Sequence, residues 1–287
     1  QGVGEDEKTL IIACEEGEVA FDIPALEKEN ASVEFIENEE DLNYETLLHL
    51  HQKYQPTQVM IEYNGMWDNT KFVDEICIDQ WQVVQILTTI SAETFDLYYN
   101  NMRGQFVYHV TGSDLVIVNR CDENTKKYPI RGSIKSLNPM CQIVYENKNR
   151  QIEDLTVNDL PYNLNDDYIE VNDMDYGIFC MHIMENPQIY ENKTIKIKGK
   201  VIGRDKLIEN GFVLGRQAMV CCSDDMQLLG LVCISKYAKD LIKDEWLVVD
   251  GTISLEYDES IQSNIPILHV DHLEGAKPLE NEYVTFD

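Results

Sequence analysis

Apolar runs alternate with helix-like segments from Thr9 to about Tyr145. Between the first two runs, Asn43 can cap a helix that Pro56 ends, and a second helix is predicted after Ser91. Continuous apolar strands separated by helices are typical of a parallel α/β sheet, which buries both of its faces. The predicted strands are Leu10–Ala13, Val59–Ile61, Val83–Ile90, Leu115–Val118 and Gln142–Tyr145.

The pattern changes in the second half of the chain. Residues 151–175 are rich in Asn and Asp and predict a linker, followed by a short helix over Tyr176–Glu185. Period-two strands then predict a small half-buried β-structure. Three strands, a helix and two strands form the element order of an OB-like barrel. These elements are Ile195–Val201, Gly211–Cys222, Leu228–Ile234, the helix Lys236–Lys243, Leu247–Leu255 and Ile265–Val270.

These patterns predict an α/β domain over residues 1–150, a linker over 151–175 and an all-β domain over 176–287. A chain of 287 residues with 44% hydrophobic positions can build a core in each. The fold class is therefore α/β plus all-β.

The charge balance narrows the range of partners. The 52 acidic and 23 basic residues leave a formal charge of −29, which repels nucleic-acid phosphates and anionic membranes. A stripe of Lys196, Lys198 and Lys200 is short and lacks interleaved aromatic residues, so nucleic-acid binding by the barrel is disfavoured. No apolar run approaches the roughly 18 residues of a membrane helix. We expect a cytoplasmic protein with reduced cysteines and no membrane insertion.

The strand at Leu115 ends in Asn119-Arg120-Cys121-Asp122. An aspartate here can accept hydrogen bonds from guanine N1–H and N2–H, an edge that adenine does not present. An Asn-x-x-Asp turn after a strand is also a common structural motif. Taken alone, the string supports both interpretations equally.

Two further strings follow predicted strands. Glu62-Tyr63-Asn64-Gly65 places a carboxylate at a strand's carboxyl end, where ligands bind in parallel sheets. The segment Cys14–Asp22 contains several carboxylates around a glycine, which could hold a divalent cation. Each string alone is also explained as a turn or a solvated acidic loop.

In this order and spacing, residues 9–145 resemble the CobW family of metal-trafficking GTPases. The resemblance rests on Cys14–Asp22, Ile61–Gly65, the string Asn119–Asp122 with Arg120 in place of lysine, and Asn138-Pro139. It implies a parallel P-loop-type sheet, GTP with Mg²⁺ as ligands, and hydrolysis with Glu62 as the catalytic candidate. The implied nucleotide-binding residues are Gly65, Asn119 and Asp122, and the implied switch or metal-linked loop carries Glu15, Gly17, Glu18 and Asp22.

The chain departs from this family at two points. The family's Cys-x-Cys-Cys motif is absent from residues 23–57, which puts metal delivery by this domain in doubt. No Gly-x-x-x-x-Gly-Lys-[Ser/Thr] phosphate loop occurs, and the strand that precedes this loop lies inside the sheet of P-loop proteins. Its absence should leave neighbouring strands with unpaired backbone groups. Since the chain begins at Gln1, we interpret it as a truncated form of a longer product, inactive alone as a GTPase.

The second half carries adjacent cysteines, Cys221 and Cys222, followed by Asp224 and Asp225. Thiolates could bind Zn²⁺ there, with an aspartate or a histidine completing four ligands. Neighbouring strand residues also point to opposite faces, which would leave one cysteine in the core and one outside. The second interpretation is slightly favoured, because Cys-Cys lacks the Cys-x-x-Cys spacing of structural zinc sites. The candidate histidines are His182, His269 and His272.

Residues of about 175–287 resemble the soluble C-terminal domain of YcgQ-type proteins. The likeness is carried by the string from Arg216 to Asp225, by the strand Trp246–Thr252, and by Pro278 with Tyr283. It implies a link to zinc homeostasis and to a membrane permease as partner. The first functional hypothesis is therefore a GTP-binding protein of metal homeostasis. The alternative is a non-catalytic scaffold with a degenerate nucleotide domain and a partner-docking barrel.

We predict that residues 1–287 alone bind GTP only weakly, since Asn119 and Asp122 would contact the base alone. Charge-assisted hydrogen bonds to phosphates contribute roughly 1.5–3 kcal/mol each, and several would be missing. Isothermal titration of this chain and of the same chain extended upstream tests the prediction. The extended chain should bind GTP with guanine preference. Micromolar or tighter binding by residues 1–287 alone would contradict it.

Overall fold

The computed structural model of the chain describes residues 7–17, 19–205, 208–219, 226–259, 261–284 and 286. Internal contacts divide the chain into two compact units. The N-terminal unit comprises Gln1–Thr88 and Tyr98–Leu115, and the barrel unit comprises Thr89–Leu97 and Val116–Asp287.

The N-terminal unit contains a three-stranded parallel sheet in the order β2-β1-β3. Its described elements are β1 (Thr9–Ala13), α1 (Ile23–Lys28), β2 (Ala31–Phe35), α2 (Tyr44–Tyr54), β3 (Gln58–Glu62) and a π-helical turn at Phe72–Ile76. Helix α3 (Phe95–Asn101) spans the point at which the chain returns to this unit, and α4 (Arg103–Thr111) follows it.

Helix α2 begins and ends as its sequence predicts. The Asn43 side chain accepts a hydrogen bond from the Thr46 amide at 3.0 Å, and Gln55 ends the helix in the left-handed conformation, with φ of 46°. Leu47 and Leu50 are buried in a core with Leu10. Side chains three or four positions apart lie on one helix face, so this spacing brings the two leucines onto the sheet.

The parallel sheet predicted over residues 9–145 is present only in part, and its P-loop-type arrangement stays a prediction. Its strands form two separate sheets, and β2 is a strand that the sequence pattern did not predict. The backbone of β3 bonds β1 through Gln58 and Glu62, so Val59 and Ile61 direct their backbone groups to the other edge. Within the described residues no strand pairs with that edge.

The barrel unit contains a four-stranded sheet in the order β4-β5-β6-β7. Its strands are β4 (Leu87–Ser91), β5 (Leu115–Cys121), β6 (Gln142–Asn147) and β7 (Ile152–Glu153), of which β4 and β5 begin in the N-terminal unit. The strand predicted over Val83–Ile90 is β4, which begins at Leu87, four residues later than predicted. Further elements of this unit are α5 (Lys127–Leu137), β8 (Tyr168–Glu170) and α6 (Tyr176–Glu185).

Five strands close into a barrel. The hydrogen-bonded order is β9-β10-β11-β13-β12 and back to β9, with β11 and β13 parallel and the other pairs antiparallel. This pairing confirms the predicted OB-like barrel, and β8 adds a parallel strand to β9. The five strands are β9 (Thr194–Arg204), β10 (Gly211–Met219), β11 (Met226–Ile234), β12 (Trp246–Asp258) and β13 (Ser263–Gly275).

The helix predicted between the third and fourth barrel strands is wrong. Residues 236–240 form successive turns, in which Ala238 donates to the Ser235 carbonyl and Asp240 to the Tyr237 carbonyl. Both bonds span three residues, whereas an α-helix needs a ladder that spans four.

The segment predicted as a linker, residues 151–175, contributes to the main core of the barrel unit. Leu160, Leu164, Ile169 and Val171 are buried there. Its Asn- and Asp-rich composition forms turns and caps, including a capping box between Thr156 and Asp159. The polar composition of residues 151–175 therefore led to the prediction of a linker, although four apolar side chains of this segment are buried in the core.

The C-terminal Phe286 packs against α5, where Gly132 leaves space for its ring. A Cβ added at Gly132 would lie 2.2 Å from a ring carbon of Phe286, which is itself 4% exposed. We predict that Gly132→Ala lowers the free energy of unfolding by about 1–3 kcal/mol through overpacking. In a Phe286→Ala background the ring no longer occupies this space, so Gly132→Ala should leave the free energy of unfolding unchanged or raise it. The rise should be at most about 1 kcal/mol, because alanine has a higher helix propensity than glycine.

A double-mutant cycle by urea denaturation measures this coupling. Gly104→Ala is the matched control, because a Cβ at this α4 position meets no atom within 4 Å. Equal effects of Gly132→Ala in both backgrounds would show that Phe286 does not occupy this space.

Candidate functional site

The carboxyl ends of β1 and β3 bring together two of the predicted strings. Ala13 and Glu62 are register partners, and the Cys14 amide donates to the Glu62 carbonyl at 2.8 Å. Beyond the strands, the Gly65 amide contacts the Glu15 carboxylate at 3.4 Å, and the Asn64 side chain donates to the Cys14 carbonyl at 3.2 Å. We call these five residues 14, 15, 62, 64 and 65 the carboxyl edge.

The carboxyl edge presents acidic and amide groups to solvent above a buried thiol. Glu15, Glu62 and Gly65 are exposed, while Cys14 is 2% exposed. Burial, with a contribution from the Glu62 carboxylate, raises the pKa of the Cys14 thiol to about 11. This cysteine is therefore a neutral packing residue and a poor nucleophile.

His109 of α4 contacts the carboxyl edge and was not predicted from the sequence. Its Nε2 lies 3.0 Å from the Gly65 carbonyl oxygen, 44 positions away in the chain. No local pattern predicts this contact, because the sequence around a single histidine on a helix does not show whether its side chain contacts another element or only solvent.

The other residues of the predicted switch loop are placed separately. Asp22 caps α1, accepting a hydrogen bond from the Ala25 amide at 3.1 Å. Gly17 lies in an exposed loop, and Glu18 lies outside the described residues. The structure therefore joins Glu15 with Gly65 and gives Asp22 a local capping contact.

The guanine-reader string, Asn119–Asp122, lies at the carboxyl end of β5, where its first three residues belong to the strand and Asp122 leads into the turn that follows. Asp122 Oδ1 accepts from the Asn124 amide at 3.0 Å, and Asp122 Oδ2 accepts from Lys148 Nζ at 3.0 Å. The Lys148 ammonium, helped by the Asn124 amide, holds the pKa of the Asp122 carboxyl below its usual range. The charged form, which accepts hydrogen bonds, is thus stabilised.

Two features of this strand end are unusual. The backbone of Arg120 has a φ of 57°, in the left-handed region that residues other than glycine rarely adopt. The Oδ1 of Asn119 is buried and has no hydrogen-bond partner among the described residues. Backbone strain and unpaired buried polar atoms concentrate where ligands bind. The turn therefore has the features of a binding site as well as those of a structural turn.

The predicted zinc residues Cys221, Cys222, Asp224 and Asp225 lie outside the described residues. Across the part of the chain that is described, no three His, Cys, Asp or Glu side chains cluster as metal ligands. His182 is enclosed in the core instead, and His269 bonds the Ser254 hydroxyl through Nε2 at 2.8 Å. The cysteines that the structure describes are free thiols.

Arg216, the first residue of the YcgQ-like string, has a structural role. It is 3% exposed and its Nη2 donates to Asp173 Oδ1 at 2.6 Å and to the Lys198 carbonyl at 2.7 Å. The guanidinium carbon lies 4.1 Å from the centre of the Tyr176 ring and 5.7 Å from that of Trp246. Arg216 therefore holds β10 against α6 at the strand that leads into segment 220–225.

The lysine stripe of β9 is largely engaged in ion pairs. Lys196 contacts Glu170 at 2.9 Å, and Lys200 contacts Glu282 at 2.8 Å. These ion pairs neutralise positive charge that would be needed to bind the phosphates of a nucleic acid. The expectation that the barrel does not bind nucleic acid stays a prediction.

The strand pairing defines a class of domain: a closed five-stranded barrel of OB topology in a mixed α/β chain. Residues 146–285 match the family described as the DUF1980 C-terminal domain. The C-terminal part of the chain is therefore similar to this family. The CobW-type resemblance of residues 9–145 stays a prediction.

A curated relative is the UPF0703 protein YcgQ of Bacillus subtilis (strain 168), which is 23% identical over 116 residues. The match covers 40% of this chain and 41% of that protein, so the chain spans about two fifths of the relative's length. It agrees with the resemblance of the C-terminal part to YcgQ-type proteins.

Among solved structures, the chain is similar to the N-terminal domain of PriB from Thermoanaerobacter tencongensis. The identity is 12%, the TM-score is 0.22, and 30% of this chain and 99% of that chain are covered. A small single-stranded DNA-binding protein from Streptomyces coelicolor shows 13% identity and a TM-score of 0.20, with 29% and 93% covered. Among the described residues, no helix is both long and apolar enough to cross a membrane.

We predict that His182 makes the stability of the barrel unit depend on pH. Its Nδ1 lies 2.7 Å from the Tyr190 hydroxyl, and burial lowers the pKa of the imidazole below its ordinary 6.5. The unfolded chain therefore takes up the proton first. The stabilisation is complete above the unfolded pKa and is lost as the pH falls through the lower folded pKa.

Urea denaturation at a series of pH values between 7.5 and 5 measures this loss. His182→Gln should be less stable than wild type at pH 7.5 and should show a smaller decrease toward pH 5. Parallel pH profiles for the two proteins would contradict the assignment.

Proposed function

We propose that this chain is the base-reading and switch-bearing part of a guanine-nucleotide-binding protein of zinc homeostasis that acts with a membrane permease. The observation that carries the proposal is the buried, unpaired Oδ1 of Asn119, three residues before the Asp122 carboxylate. The strained Arg120 between them supports a turn shaped for a ligand.

The residues of the turn fit a guanine base. The Asp122 carboxylate would accept hydrogen bonds from the two N–H groups of the base. The Oδ1 of Asn119, which has no partner among the described residues, would accept a hydrogen bond in the occupied site. The carboxyl edge fits the role of a response element, since Glu15 and Gly65 are bonded across two loops. When bound, GTP with Mg²⁺ would supply phosphate charge to which such loops respond. Glu62 is the candidate for orienting water.

The barrel is the proposed docking module. Since its five strands pair in a closed order, a partner would bind its surface or loops. The proposal that this partner is a permease rests on the YcgQ-type resemblance. Zn²⁺ binding by Cys221, Cys222, Asp224 and Asp225 remains part of the same proposal.

A non-catalytic scaffold is the second candidate, and one observation favours it. Both carboxylate oxygens of Asp122 already have partners within the chain, as in a purely structural turn. In that case the N-terminal unit would serve as a folded support for the docking barrel.

Base exchange at Asp122 separates the two candidates. An amide in place of the carboxylate offers one acceptor and one donor, which suits xanthine and no longer suits guanine. We expect Asp122→Asn to weaken guanosine binding at least tenfold, within the roughly 1–3 kcal/mol of a bidentate base contact, and to gain xanthosine binding.

Saturation-transfer NMR at millimolar nucleoside detects such weak binding. Glu123→Gln is the matched control, since it removes a neighbouring exposed carboxylate and should leave the preference unchanged. Absence of guanosine binding in wild type and in Asp122→Asn would favour the scaffold.

A further inference from the structure

We propose that Lys148 is a displaceable cation that occupies the base-reading carboxylate of Asp122 and sets its affinity for a guanine edge. This inference rests on the proposed function of the turn. It concerns a residue that lies 26 positions from Asp122 and belongs to none of the sequence motifs.

A rigid hairpin presents Lys148. The turn between β6 and β7 is held by the Asn147 side chain, whose Oδ1 accepts from the Asn149 amide at 2.9 Å and from the Gln151 amide at 3.1 Å. Arg150 completes it in the left-handed conformation, with φ of 61°. These bonds hold the backbone of the turn from which the Lys148 side chain extends.

The ammonium of Lys148 bridges two carboxylates. Its Nζ lies 3.0 Å from Asp122 Oδ2 and 2.9 Å from Glu93 Oε1. The Oδ1 of Asp122 is already bonded to the Asn124 amide, so Lys148 occupies the oxygen that has no backbone partner. A guanine edge approaching Asp122 meets this ammonium as a competitor.

The contact is exchangeable because it is exposed. The side chains of Lys148, Asp122 and Glu93 are 51%, 39% and 47% accessible to solvent. Ion pairs at such positions contribute little to stability, so a ligand can replace one at small cost. Glu93 gives the displaced ammonium a second partner, to which it can remain bonded while a base takes Asp122.

This arrangement predicts opposite effects for two charge-neutralising variants. Lys148→Gln removes the competitor and should tighten guanosine binding about threefold, the size expected for one surface ion pair. Glu93→Gln removes the alternative partner, holds Lys148 on Asp122 and should weaken guanosine binding by a similar factor. A general effect of net charge cannot produce this pattern, since guanosine is neutral.

Saturation-transfer NMR titrations of the full chain with guanosine and inosine test the proposal, with a thermal melt to confirm folding of each variant. Inosine lacks the exocyclic amino group, so its affinity should change less than that of guanosine. Lys126→Gln, which neutralises an exposed lysine close in sequence to Asp122, is the matched control and should behave as wild type.

The outcomes separate the two proposals. Guanosine binding that is equal in wild type, Lys148→Gln and Glu93→Gln would overturn the role of Lys148 and leave the guanine site in place. Guanosine binding by Lys148→Gln alone would support the role strongly. No guanosine binding in any of the proteins would overturn the guanine site and the role of Lys148 with it.

Discussion

The parallel pairing of β11 with β13 is the contact on which the barrel unit depends. It joins Val232 to Ile267 and Ile234 to His269, and it closes a five-stranded barrel whose other pairs, β9–β10, β10–β11, β12–β13 and β9–β12, are antiparallel. Closure removes the open edges that an isolated sheet would expose. It also encloses one face of every strand, so that alternate side chains such as Phe212 and Val249 become fully buried.

Closure in turn requires close approach of backbones at one corner. The register of β12 and β13 shifts between Asp250 and Gly251, where a Cβ would lie 2.2 Å from the His269 carbonyl oxygen. A glycine there permits the bulge that bends β12 between its partners β9 and β13. The long strands of the barrel can therefore curve without losing their hydrogen bonds.

Two ion pairs of the barrel unit show how burial decides the role of a charge. Arg216 is enclosed by Tyr176 and Trp246 and bonded to Asp173, so removing a partner would leave a buried cation. Lys148 and Asp122 are bonded at a similar distance, but water screens them and can replace either partner. The first pair fixes a strand, whereas the second leaves a carboxylate accessible to a ligand.

The sequence by itself determined the elements whose signal is local. The cap at Asn43, the strands around Leu10 and Leu115, and the alternation of Ile195 and Ile197 in β9 were predicted, because capping and periodicity depend on neighbours a few positions apart. The element order of the barrel followed from the same signals. The short β2 and the turns at 236–240 were mispredicted, since such short segments acquire their conformation from the strands around them.

Only the tertiary structure decided which strands share a sheet and which side chains meet. Pairing between strands depends on contacts far apart in sequence, so one predicted sheet became two. His109 reaches Gly65 across 44 positions and Lys148 reaches Asp122 across 26, and no motif encodes either contact. The motifs at Glu15, Gly65 and Asp122 could be located from the sequence, whereas their partners are set by the packing of distant elements.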